Sequence, residues 1–141
     1  MFNRKPFSEE QFKQDDRPAK VKVAAYITNR WEMIVSEGEQ YGVDLVCSKD
    51  QEIVGLVEVE RRHNWVDEFP FRTVHVPARK AKFFVLEGPV ILFSVRSDLK
   101  KAMWCKDVDI MSSPIELLDN KHCENEDFFV VPLEHWRLVD L

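Results

Sequence analysis

Glycine is scarce, with 4 in 141 residues. Neither GxxxxGK[ST] nor GxGxxG occurs, which excludes the glycine-rich loops that wrap phosphates in backbone amides. Cysteine is scarcer still. Cys47, Cys105 and Cys123 are scattered, odd in number and form no CxxC pair. That excludes a disulfide framework and a cysteine-rich zinc site, and it predicts reduced thiols in a cytosol-like compartment. The histidines His63, His75, His122 and His135 lack metal-ligand spacing, and His122-Cys123 is not a zinc signature. No histidine is placed in sequence beside Cys47 or Cys105 to mark a thiol nucleophile. The longest apolar runs, such as Val90 to Val95, are too short to span a bilayer. A basic start followed by an apolar segment is missing, so no signal peptide is expected. Nor is positive charge in excess: 20 Lys and Arg stand against 25 Asp and Glu, a net charge of -5. This excludes a strongly basic coat protein but not a nucleic-acid enzyme whose acids cluster at a metal.

What is present is core material. Hydrophobic residues make up 45% and aromatics 11%, enough for one globular domain without staples. Residues 1–16 are polar, with Phe2, Phe7 and Phe12 spaced along them, and read as an N-terminal arm. Residues 17–141 read as the domain. From Ala19 to about Gln40 the residues Val23, Tyr26, Ile27, Trp31, Ile34 and Val35 recur at helical steps, which predicts a helix ended by Gly38 and Gly42. Strands are predicted at Asp44–Ser48 and Ile53–Arg62, joined by a turn at 49–52. A third follows at Thr73–Val76, and a largely apolar one at Val90–Arg96. Pro77 suits the start of a short basic helix over 78–86. Ser97-Asp98 begins a turn, after which Ala102–Met111 reads as a return strand, alone or followed by a loop. A short helix is predicted from Pro114 to Asn120, a strand at Asp127–Val131 and a last helical turn at Pro132–Trp136. The order describes an α/β or α+β fold around a small mixed sheet, with extra β structure towards the C-terminus.

The stretch from Asp44 to Glu60, DLVCSKDQEIVGLVEVE, carries the chemistry. Strand side chains alternate, so Glu58 and Glu60 share one face and Val57 and Val59 the other. Two carboxylates on one face repel each other, and hard divalent cations prefer such oxygen ligands. The bland alternative is a solvated strand face, on which two such acids are ordinary. Asp44, after Gly42-Val43, could likewise be only a turn residue.

In sequence, Gly42-Val43-Asp44-Leu45-Val46 and Glu58-Val59-Glu60 resemble the motif of the PD-(D/E)XK nuclease superfamily, over about residues 20–96. That superfamily includes restriction enzymes, Holliday-junction resolvases and many phage nucleases. The resemblance implies a restriction-endonuclease-like αβββαβ core and Mg²⁺- or Mn²⁺-dependent hydrolysis of DNA. It implies metal ligation by Asp44, Glu58, the Val59 carbonyl and Glu60. Glu60 stands where the motif usually has Lys, so Lys80 or Lys82 is the substitute for assisting water or phosphate. A first-helix acid often completes such a site, and Glu32, Glu37 and Glu39 are the choices. Arg61, Arg62, Arg79, Lys80 and Lys82 are candidate phosphate contacts, and Trp65 is a candidate substrate contact. The four tryptophans otherwise read as packing residues. The resemblance and small size point to a phage or mobile-element protein, in the cytoplasm of a bacterium or infected host cell, with a homodimer compatible and no membrane partner. The competing reading is a catalytically degenerate protein of the same fold that binds nucleic acid or protein, favoured by the absence of Lys at position 60.

Overall fold

The computed structural model describes residues 17–85, 89–118 and 126–141, with side chains described at all of these except 82–85 and 118. The expected arm at 1–16, as well as His122 and Cys123, lies outside the described residues, and so does the Lys82 side chain. The described residues form a mixed α and β fold in which strands predominate.

Helix α1 covers 17–31. Ala19, Val23 and Ile27 recur every four residues and form its buried stripe. Its last turn, Ile27–Trp31, widens to π geometry. The Thr28 hydroxyl donates to the Ala24 carbonyl at 2.9 Å, a back-bond that competes with the helical ladder here. Glu32 then takes φ 55, and this left-handed residue stops the helix.

The expectation of a helix continuing to Gln40 is therefore corrected. Ile34–Glu37 is strand β1, and Glu39–Tyr41 is a single 3₁₀ turn. Ile34 and Val35 match a helical period only by coincidence with Trp31; the left-handed Glu32 breaks the register between them. Strand β2, Leu45–Lys49, and strand β3, Glu52–Arg62, follow as expected. The turn between them places both Asp50 and Gln51 at positive φ, at 52° and 68°. That is the twist a two-residue hairpin requires. The pairing shifts between Cys47 and Ser48, leaving Val54 as the extra residue of a bulge.

Strand β4, Thr73–Pro77, leads into a 3₁₀ segment, Ala78–Val85, where an α-helix was expected. Strand β5, Val90–Arg96, then returns parallel to β3. Strand β6, Lys101–Lys106, pairs antiparallel to β5, and helix α2, Asp107–Met111, follows it directly. Ile115–Leu118 is strand β7 and not the start of a helix. Its backbone finds partners in strand β8, Glu126–Pro132, an interaction that outweighs local propensity. A 3₁₀ turn at Leu133–His135 agrees with the expected terminal turn. It precedes strand β9, Arg137–Asp140, which was not anticipated.

Two sheets result. The larger has six strands in the order β1-β2-β3-β5-β6-β9, and the smaller has three in the order β4-β8-β7. The large sheet is buried on both faces. One face packs Leu45, Cys47, Val57, Val59, Phe93 and Val95 against α1. The other packs Val46, Leu56, Val90 and Leu92 against Val74, Val76, Phe129 and Val131 of the small sheet. The result is three layers: helix, six-stranded sheet and three-stranded sheet. Each fully buried aliphatic or aromatic side chain contributes about 1.5–3 kcal/mol relative to exposure. Phe93 sits at the centre, against the rings of Tyr26, Trp31 and Trp104. Among the described residues, no helix is long and apolar enough to cross a membrane.

Candidate acid–lysine site

Strand β3 carries the site because of how burial changes along one of its faces. Leu56, Glu58, Glu60 and Arg62 alternate onto the face that looks towards the small sheet. Leu56 is in the core and Glu58 is 5% exposed, whereas Glu60 and Arg62 are half-buried. Glu58 is therefore the last buried position on this face before it becomes half-exposed.

Asp44 lies across from Glu58, one step beyond the Leu45–Val57 pair. Two acids facing each other on adjacent strands repel. The main chain offsets part of this: the Asp44 N–H donates to Glu58 Oε2 at 3.0 Å, and the Val59 N–H donates to Asp44 Oδ2 at 2.8 Å. Each outer oxygen meets an ammonium. Lys80 Nζ is 3.1 Å from Glu58 Oε1, and Lys20 Nζ is 2.9 Å from Asp44 Oδ1. Lys80 comes from the 3₁₀ segment after β4, and Lys20 from the start of α1, so both flanking layers supply a cation.

Burial pushes the Glu58 carboxyl up to about 7, and the nearby Asp44 adds to the rise, while Lys80 opposes it. The opposition is incomplete. The site therefore brings two carboxyl groups and two lysines together, with the Glu58 proton held more firmly than usual.

The remaining candidate residues are distributed more widely. Glu60 Oε2 is turned towards Arg62, 3.4 Å from its guanidinium, and not into the Asp44–Glu58 pair. Arg62 also donates to the Ser94 hydroxyl and the His75 carbonyl, both at 3.1 Å. Arg61 donates from Nε to the Ser97 carbonyl at 3.2 Å. Arg79 pairs with Glu126 at 2.9 Å, tying the 3₁₀ segment to β8. These arginines thus hold strands and loops together. Trp65, expected to touch a substrate, is 2% exposed, with its indole N–H donating to the Asp67 carbonyl at 2.8 Å. It is a core residue. Glu32 and Glu37 are exposed, at the end of α1 and on β1, and Glu39 is exposed in the following turn; none is an acid within the body of α1 next to the pair. Val59 gives its N–H to Asp44, and its side chain faces α1.

Lys20 is the residue that sequence reasoning missed. Its only signal is its place beside Ala19 on the edge of the buried helical stripe, from which a long side chain can run along the sheet. Cys47 and Cys105 are buried, and burial pushes their thiols up to about 11 and about 12, away from the thiolate form that a nucleophile needs.

The donor set suits a hard divalent cation in one specific sense. The buried Glu58 and the partly buried Asp44 bring four carboxylate oxygens close together, and Mg²⁺ is commonly held by one or two carboxylates with water completing its shell. Among the described residues no group of three or more His, Cys, Asp or Glu gathers at one point, so a two-carboxylate site is the form available. In comparisons with known proteins, no family profile and no curated sequence matches this chain.

Proposed function

We propose that the chain is a divalent-metal-dependent nuclease of PD-(D/E)XK type acting on DNA, with Asp44 and Glu58 as the metal-holding pair and Lys80 as the basic group. The observation that carries this reading is the Asp44–Glu58 pair, Glu58 buried and Asp44 partly so, with Lys80 on Glu58 Oε1. The element order supports it as well. A helix precedes the antiparallel β1-β2-β3 meander and β5 lies parallel to β3, as in the αβββαβ plan, but the expected third strand, Thr73–Pro77, belongs to the smaller sheet and a 3₁₀ segment stands where the plan has its second helix.

Asp44 and Glu58 would hold the Mg²⁺ or Mn²⁺, which when bound would supply an acidified water and charge withdrawal at a phosphoryl oxygen. The chain's own groups do the rest. The Val59 N–H and Lys20 fix the Asp44 carboxylate, so it needs little reorganisation. Lys80, held on Glu58 Oε1, would place a positive charge beside a phosphate bound there. The core behind Glu58 keeps water away from one side of the pair.

A second reading has its own observation. Both outer carboxylate oxygens already bind lysines, and Glu60 is directed to Arg62. A site neutralised from within suits a nuclease-fold binding module without catalysis. Supercoiled plasmid and single-stranded DNA, incubated with Mg²⁺, Mn²⁺ or EDTA, separate the two. Cleavage with either metal, lost in EDTA and in Asp44→Ala and Glu58→Ala, is the expected result. Full cleavage in both variants overturns the nuclease reading. No cleavage, with no Mn²⁺ binding by calorimetry, supports the module.

A further inference from the structure

A cleft of about 530 Å³ opens on the same face of β3 as Glu58, lined by Glu60, Arg62, His63, Phe69, Phe71 and His75 among others. Its aromatic wall is built outwards from the core. Buried Trp65 meets Phe69 edge-on at 5.6 Å, and Phe69 meets Phe71 edge-on at 5.8 Å. The loop that carries them is pinned at both ends. The Ser97 N–H donates to the Trp65 carbonyl, and the Leu133 N–H to the Arg72 carbonyl, at 3.0 and 2.8 Å. Phe71 is nevertheless 61% exposed. The ring, backed edge-on by Phe69, offers a flat apolar surface to solvent.

We propose that this cleft takes an unpaired nucleobase of single-stranded DNA, stacked on Phe71, so that single-stranded or frayed DNA is the favoured substrate form. The inference rests on the nuclease reading for the position of the phosphate. Glu60 lies two residues beyond Glu58 on one face of the strand, about 7 Å away. A base held near Glu60 therefore leaves its neighbouring phosphodiester within reach of Glu58 and Lys80.

The mixture of groups selects the occupant. An apolar peptide side chain would desolvate the Glu60 carboxylate and the Arg62 guanidinium while offering neither a hydrogen bond. A base has flat apolar faces for Phe71 and a polar edge for the rim. The Glu60 carboxylate accepts from an exocyclic amine, and its long contact to Arg62 leaves it lone pairs to do so. In duplex DNA both faces of a base are already stacked, so a paired base cannot fill the cleft without being extruded.

The test is fluorescence anisotropy in EDTA, where no cleavage occurs, with a labelled single strand and the same strand in a blunt duplex. Wild-type protein binds the single strand more tightly. Phe71→Ala lowers that affinity roughly 5- to 150-fold, the size of one lost base stack, and leaves duplex binding unchanged; Phe71→Trp restores it. Thermal melting checks that the exposed-site variant remains folded. Equal single-strand affinity for wild type and Phe71→Ala overturns the proposal, as does tighter, equally Phe71-dependent binding of the duplex. Because binding is read without metal, Phe71-dependent binding in a protein that never cleaves refutes the nuclease reading alone. Cleavage by a protein indifferent to Phe71 refutes the base site alone.

Discussion

The backbone N–H of Asp44 donates to Glu58 Oε2, and the N–H following Glu58 donates back to Asp44 Oδ2. Two mutually repelling acids are thereby latched to each other's main chain, and neither can move without disturbing a strand. Lys80 and Lys20 sit outside the latch, one on each acid.

The latch has a pH signature. Glu58 is raised from 4.5 to about 7 in the folded chain, so folding favours its protonated form. The stability carried by that proton is fully present below about 4.5 and is lost as pH rises through about 7, by roughly 3 kcal/mol. Glu58→Gln cannot ionise. The melting temperature of wild type should fall relative to Glu58→Gln between about pH 4.5 and 8. A gap that stays constant across this window contradicts the assignment.

The two lysines should differ in consequence. Lys80 faces an almost buried carboxylate, whereas Lys20 faces one about one-fifth exposed. Lys80→Met should raise the Glu58 carboxyl further, since Lys80 is what lowers it. It should also reduce metal-dependent cleavage about 100- to 1000-fold in single-turnover assays. Lys20→Met should cost less than about tenfold, because a partly solvated ion pair contributes little. Equal effects of the two substitutions would remove the distinction.

Glu60 separates motif position from ligand position. Its carboxylate turns to Arg62. Calorimetric titration with Mn²⁺ should show Asp44→Asn and Glu58→Gln each weakened more than about tenfold. Glu60→Gln should bind within about twofold of wild type. Loss of binding in Glu60→Gln would return Glu60 to the metal site.

Gly38 sets the height of Asp44. A Cβ there would lie 2.7 Å from the Val43 carbonyl oxygen and 2.8 Å from Val43 Cγ2, while the Gly38 N–H donates to the Asp44 carbonyl at 3.2 Å. Gly38→Ala should destabilise the fold by about 1–3 kcal/mol through overpacking. Urea denaturation reads that loss directly. An unchanged midpoint would mean that the β1–β2 connection yields without cost.

Much of this was legible in the residues. The β2–β3 hairpin declared itself through β-branched strands around a polar turn, and β5 through its apolar run. Asp44 and Glu58 were identifiable because acids interrupt those strands. Other features depended on tertiary structure. Strand β1 shares its apolar spacing with a helix, and only the left-handed Glu32 separates them. Strand β7 has its place because β8 pairs with it. The inward turn of Lys20 and the diversion of Glu60 to Arg62 depend on neighbours that the spacing of residues does not reveal. Trp65 stood in a loop with the look of a contact residue, yet its ring props up the aromatic wall from behind.

The parallel pairing of β3 with β5 has a consequence for the order of assembly. The hairpin that joins Asp44 to Glu58 can close early, since hairpins form within roughly 1–10 μs. Lys80 arrives only when the crossover between Arg62 and Val90 docks and the parallel ladder forms. Non-local pairing of that kind is the slow part of folding. On that order of events the acid pair forms before Lys80 reaches it, and the charge balance at Glu58 is completed only by a non-local step.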